Sequence, residues 1–240
     1  MPHLFVNRPR ILDLTRGSTE LRAQFRWETI NAVFYKIGGV VFITGSILFF
    51  PRFEEYADLG AWTFFFGSLL YLVVTSHDLA EVIRTRHNEQ YHDPFEVAEH
   101  IAAIAYLIGT ILFTVGSVFF LSAIGLFIAG AWCFVIGSLL FVIGACVNVF
   151  QVQQGDTLLA RKLMNYTAIS FIIGSVLFTV ASVPYLWDFE ADSDRTKMYA
   201  FLAWQYLIGS TLFLMGGIFN YWRAYDFIKR QLRNNARKLK

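Results

Sequence analysis

Charge is scarce in this sequence. Asp, Glu, Lys and Arg together make 16% of its 240 residues, against about 25% in soluble domains; 56% of residues are hydrophobic and 18% aromatic. That balance excludes an ordinary water-soluble fold. Cysteine is nearly absent as well. Cys133 and Cys146 fall in one apolar stretch, where a helix would hold them about 20 Å apart, too far for a disulfide. The first 27 residues hold Arg8, Arg10, Arg16, Arg22 and Arg26 but no uninterrupted apolar core with a cleavage site, so they do not read as a secretory signal. The middle of every apolar stretch lacks ionisable side chains, which argues against a proton relay, a voltage sensor or a charged midplane transport site. No nucleophile, base or metal set stands at a catalytic spacing, so no enzyme activity and no cofactor are expected.

Long apolar runs are what the sequence does have. Each transmembrane helix needs roughly 20 mostly apolar residues, and six such stretches lie near 30–50, 59–80, 99–121, 124–150, 163–186 and 198–222. The expected fold class is therefore all-α, a polytopic membrane bundle of six transmembrane helices. Lys and Arg set the orientation: with the N-terminus inside, 17 lie on the inner side and only Arg52, Arg195 and Lys197 outside. The positive-inside rule then puts both termini in the cytosol of a multi-pass plasma (inner) membrane protein.

The six helices repeat as three hairpins. The first helices align without gaps over Ile37 to Ser46, Ile108 to Ser117 and Ile173 to Ser182, with Ile, Gly, Phe and Ser recurring. The second helices align separately on Trp62 with Gly67-Ser68, Trp132 with Gly137-Ser138, and Trp204 with Gly209-Ser210. Helices 1, 3 and 5 run the same way, so the copies read as parallel repeats with a pseudo-threefold axis along the membrane normal. The expected division is a basic N-terminal segment 1–27, hairpin 1 at 28–84, a cytosolic linker 85–97, hairpin 2 at 98–152, hairpin 3 at 153–222 and a basic tail 223–240.

Glycines recur seven apart, as in Gly38 and Gly45, Gly109 and Gly116, and Gly130, Gly137 and Gly144, close to one helix face. In lipid, small residues let backbones approach, so Gly38, Gly45, Gly67, Gly109, Gly116, Gly137, Gly174 and Gly209 are expected to be packing positions. The Gly-Ser pairs sit in mid-helix without the lysine of a phosphate-binding loop. Phe25-Arg26-Trp27-Glu28-Thr29-Ile30-Asn31, followed by Gly38, Phe42, Gly45-Ser46 and Gly67-Ser68-Leu69-Leu70, resembles the YrhK-like family of small bacterial membrane proteins. That resemblance implies a two-helix membrane module and carries no established biochemical activity. Hairpins 2 and 3 keep the Gly and Ser pattern but have Ala98-Glu99 and Leu163-Met164 in place of Trp27-Glu28.

Polar residues gather at the inner helix ends. Asp78, Asn148 and Asn220 are equivalent in the repeat, as are Glu28 and Glu99. These five form the candidate binding site, an inner rim that either lines a mouth or caps helices. The segment from His77 to His100 mixes imidazoles and carboxylates but matches no metal signature, so it reads as an interfacial linker. Asp188 to Asp194 alternates acids without the Gly and Glu that an EF-hand needs and reads as a solvated turn. The tail from Arg223 to Lys240 has seven bases and one acid, which favours anionic lipid headgroups over nucleic acid. A structural or accessory protein that packs helices and binds lipid, partner membrane proteins or copies of itself is the leading expectation. The competing one is a channel or facilitator along the axis, where Phe42, Phe113 and Phe178 would form a plug or a gate.

Overall fold

The computed structural model describes residues 21–88, 94–149, 157–188 and 191–238. It is helical throughout these residues, with no strand among them: α1 Leu21–Leu48, α2 Ala57–Asn88, α3 Pro94–Phe119, α4 Phe127–Val149, α5 Leu158–Ser182 and α6 Asp192–Lys238. All six are long and apolar enough to cross a membrane. Each packs against its chain neighbours, and α1 packs against α6, so the helices close into a ring. The turns between α1 and α2, α3 and α4, and α5 and α6 lie at one end, and the start of α1 and the end of α6 lie at the other.

Three elements run past the hydropathic stretches. α6 spans 47 residues, about 70 Å at 1.5 Å per residue, more than twice the roughly 30 Å hydrocarbon core. The basic segment from Arg223 is thus a continuation of the last membrane helix as far as Lys238. α2 likewise continues to Asn88, and α3 opens at Pro94, where the missing N–H costs nothing, so much of the expected linker is helix. Hydropathy marks where a helix meets lipid, and helix formation does not stop there. The α3–α4 turn is tight, and Gly125 takes φ 67° at its corner, a conformation that glycine adopts without strain.

Twelve aromatic rings fill the middle of the ring of helices, each 3% exposed or less. Six lie toward the turns (Phe42, Phe64, Phe113, Phe134, Phe178 and Tyr206). The other six, on the side of the termini, are Tyr35, Tyr71, Tyr106, Phe141, Phe171 and Phe213. The contacts recur from hairpin to hairpin. Phe42 meets Phe64 at 4.8 Å, Phe113 meets Phe134 at 4.6 Å and Phe178 meets Tyr206 at 5.1 Å between centroids. Phe42–Tyr71, Phe113–Phe141 and Phe178–Phe213 lie at 5.1, 5.2 and 5.1 Å. Phe64, Phe134 and Tyr206 close a triangle of 6.0, 5.9 and 6.5 Å. These are ordinary aromatic contact distances, so no lumen passes between the three rings.

Glycines make room for those rings. A Cβ on Gly109 would stand 2.6 Å from the Phe141 ring and 2.9 Å from the Gly137 carbonyl oxygen, and one on Gly137 2.8 Å from Phe113. Gly38 faces Tyr71, Gly45 Phe64 and Thr63, Gly67 Phe42, Gly116 Phe134, Gly174 Phe213, and Gly209 Phe178 in the same way. Each of these eight glycines seats an aromatic ring of its hairpin partner. The buried serines need partners in a dry interior. Ser46, Ser117 and Ser182 each donate to the carbonyl four residues back, on Phe42, Phe113 and Phe178, at 2.7 Å.

The outside of the ring is apolar. Ile37, Val40, Val73, Ile101, Ile108, Ile136, Ile169 and Ile208 are all exposed, as lipid-facing residues must be. Trp62, Trp132 and Trp204 are exposed too, at equivalent positions of the second helices, and can form part of an interfacial aromatic belt.

Candidate functional site

The stripe of each helix that supplies the central rings continues past the apolar span as a polar stripe. On α1 the inward face reads Glu28, Asn31, Tyr35, Gly38 and Phe42, on α3 Glu99, Ala102, Tyr106, Gly109 and Phe113, and on α2 Tyr71, Val74, Asp78 and Glu81. Spacings of three and four keep one face, so the residues that close the core and those that form the rim share an orientation. The result is a cluster of buried polar side chains in the mouth of the ring at the end of the termini.

Of the five rim residues expected from the sequence, Asp78, Glu99, Asn148 and Asn220 are buried and Glu28 is half-buried. The four buried ones are not turned out toward lipid. The Asn148 amide donates to the Tyr106 hydroxyl at 3.0 Å, joining α4 to α3. Asn220 accepts from the Arg223 guanidinium at 3.1 Å, within α6. The expected equivalence of Asp78, Asn148 and Asn220 therefore extends to burial, while their partners differ.

Several members of the cluster were missed or read otherwise. Asn31 is 3% exposed and His77 2%, and the Asn31 amide lies 3.5 Å from His77 Nδ1, bridging α1 and α2. His77 thus belongs to the interior rather than to a solvated linker. Glu81 and Arg223 are buried as well, the latter within what the charge pattern assigned to a lipid-binding tail. Thr167, equivalent to Asn31 in the third hairpin, is buried and bonds the Leu163 carbonyl at 2.8 Å. The signal that finds all of them is the inward stripe, extended by about one to three turns beyond the last core aromatic.

A half-open cleft enters the cluster between α1 and α6. Glu28, Asn31, Ala32, Tyr35, Gly217, Asn220 and Tyr221 line it, and it has room for about one group of the size of water. The Tyr35 hydroxyl is buried and has no hydrogen-bond partner among the described residues. Tyr221 is pinned by Thr29, hydroxyl to hydroxyl at 3.3 Å, and Lys36 Nζ stands 4.3 Å from its ring centre.

Other charged segments are simpler. Glu89, His92 and Asp93 of the His-rich segment lie outside the described residues. Among the described residues no group of three or more His, Cys, Asp or Glu side chains is assembled as a metal would require. Asp192 and Asp194 sit in the first turn of α6, in exposed pairs with Arg195 and Lys197 at 3.1 and 3.7 Å, where negative charge complements the helix dipole. At the same end, Asp58 of α2 accepts from the backbone N–H of Ser122 at 2.8 Å and from its hydroxyl, tying hairpin 1 to the α3–α4 turn.

A family model described as YrhK-like protein matches the chain twice, over residues 25–83 and 97–153. The second match covers the hairpin in which Ala98-Glu99 replaces Trp27-Glu28. No curated protein and no solved structure matches the chain.

Proposed function

Since this chain belongs over residues 25–153 to the YrhK-like family, whose module it carries twice in succession, we propose that it is a non-catalytic membrane scaffold or accessory protein with a sealed axis. The observation that carries this reading is the set of twelve buried rings, above all the Phe64, Phe134 and Tyr206 triangle. A solute path along the axis would have to separate rings whose mutual contacts are a large part of the packing between hairpins. The near-identical ring distances in the three hairpins support a pseudo-threefold arrangement about that axis. The third hairpin is then a further copy of the same module.

In this reading both termini are cytosolic in an inner membrane, supported by the 17 to 3 distribution of Lys and Arg. The basic end of α6, with Lys229, Arg230 and Arg233, lies along anionic headgroups, each base worth about 1 kcal/mol near such a surface. Membrane protein partners or further copies of the chain cover part of the apolar exterior, and no nucleic acid or cofactor is involved.

The alternative, a channel or facilitator, is favoured by one feature, the polar mouth formed by Asp78, Glu99, Asn148 and Asn220. Purified protein in liposomes separates the two. The scaffold reading expects efflux of ions and small neutral solutes no faster than from protein-free vesicles. Solute flux that scales with protein and changes with Asp78→Asn would replace it with the channel.

A further inference from the structure

We propose that the outer groove of the α1–α6 seam, at the end where α1 begins, holds an anionic phospholipid with its phosphate on Lys36, in the field of Lys229. This rests on the lipid-binding part of the proposed function and not on whether the axis conducts, so the two can fail separately. Lys36 lies eight residues beyond Glu28, where the first span begins, about 12 Å along the helix, a depth at which a charge is costly without a counter-charge. Its Nζ stands 4.3 Å from the ring centre of Tyr221, across the seam on α6. One turn further along α6, Lys229 Nζ stands 5.3 Å from the ring centre of Tyr225. Spacings of four keep Tyr221, Tyr225 and Lys229 on one side of the helix. A ring face attracts an ammonium but leaves its three donors free for a stronger acceptor. Neither lysine has an acidic partner among the described residues: Asp226 pairs with Arg230, and Glu28 of the cleft wall is already engaged.

The repeat shows that packing alone does not call for this lysine. Lys36 precedes Ile37 of the aligned segment, and Leu107 and Ile172 stand at its place in the other hairpins. Tyr221 comes twelve residues after Gly209, where Gly67 and Gly137 are followed by Leu79 and Val149. The α2–α3 and α4–α5 seams thus carry only apolar residues at these positions, and the α1–α6 seam alone carries a base. Val33 and Val40 on α1 and Ile218 on α6, three or four residues from Lys36 or Tyr221, are exposed and give the acyl chains an apolar bed. Two bases without acidic partners favour a headgroup of net negative charge over a zwitterion, whose own cation they repel.

Native mass spectrometry of the purified full chain, titrated with phosphatidylglycerol or phosphatidylcholine of the same acyl chains, tests this. One base near an anionic headgroup is worth about fivefold in binding, so the first phosphatidylglycerol should bind more tightly than phosphatidylcholine by at least that factor. Lys36→Leu puts into hairpin 1 the residue that hairpin 2 carries; it should abolish the preference and leave Tm unchanged. Lys36→Gln, closer to lysine in length, should do the same, while Lys36→Arg should retain the preference. Lys162→Leu, which removes an exposed base from the start of α5, should retain it too. Glycerol 3-phosphate, the same anion without acyl chains, should not displace the lipid. Equal binding of both lipids to the wild type overturns the proposal, as does a preference that survives Lys36→Leu and Lys36→Gln. An equal loss in Lys162→Leu would assign the preference to the basic surface at large, and displacement by glycerol 3-phosphate would assign the site to a soluble phosphate; either result overturns the lipid site as well.

Discussion

Gly109→Ala is the smallest change that tests how the hairpins are packed. The added methyl would stand 2.6 and 2.8 Å from Phe141 ring carbons and 2.9 Å from the Gly137 carbonyl oxygen. The ring can tilt only into other buried rings, and the carbonyl can move only with its helix. Overpacking of this kind costs about 1–3 kcal/mol, against which alanine regains about 0.5–1 kcal/mol of helix stability over glycine. A net loss of roughly 1–2 kcal/mol follows, which for a chain of this size lowers Tm by about 2–8 °C. Gly60→Ala is the control, because its methyl would meet Leu48 and Phe49 at 3.4 Å or more, ordinary contact. There the helix gain stands unopposed, and Tm should hold or rise by a few degrees, on the order of 2–4 °C. Thermal unfolding of both variants in one detergent gives the comparison. Wild-type stability in Gly109→Ala, or a greater loss in Gly60→Ala, would refute the view that these glycines seat aromatic rings.

Gly45→Leu and Gly116→Leu should lose assembly or fall well below wild-type Tm in detergent, since even a single methyl at either position already collides with Phe64 or Phe134. Reporter fusions at residue 240 should report a cytosolic C-terminus, and a periplasmic signal would reverse the orientation. Asp78→Asn should cost more unfolding free energy than Glu28→Gln, by about 1–3 kcal/mol, because Asp78 is 2% exposed and Glu28 half-buried; equal effects in denaturant unfolding would show that burial at the rim does not govern stability.

Much of the fold is legible in the sequence because lipid imposes one demand on every span. Apolar runs identify the six helices, and the Gly, Phe and Trp register aligns the hairpins. Equivalent positions such as Phe42, Phe113 and Phe178 then share one environment. Helix ends are less legible. Nothing apolar distinguishes Arg223 to Lys238 from a loop, yet the segment extends α6 on the momentum of an existing helix, where no new nucleus is needed. The rim was legible where the repeat preserved polarity, as at Asp78, Asn148 and Asn220. It was illegible where the copies diverge: Asn31 aligns with Ala102 and Thr167, and His77 with Val147 and Phe219. A repeat argument passes over such positions, and only the packing of α2 on α1 brings Asn31 to His77. The α1–α6 cleft lies at the seam between the first and last hairpins, with walls that include Asn31 and Gly217, 186 residues apart in the chain, which no local pattern announces.

Closure of the six helices around the aromatic core underlies every functional statement above, and a disulfide across the seam tests it most directly. The hydroxyls of Ser46 on α1 and Ser210 on α6 lie 3.1 Å apart, close enough for the corresponding thiols to join. With Cys133 and Cys146 replaced by alanine, Ser46→Cys combined with Ser210→Cys should oxidise in native membranes to an intramolecular bond, seen as a faster-migrating monomer that reverts on reduction. Failure to oxidise, or disulfide-linked dimers in its place, would contradict the closed ring.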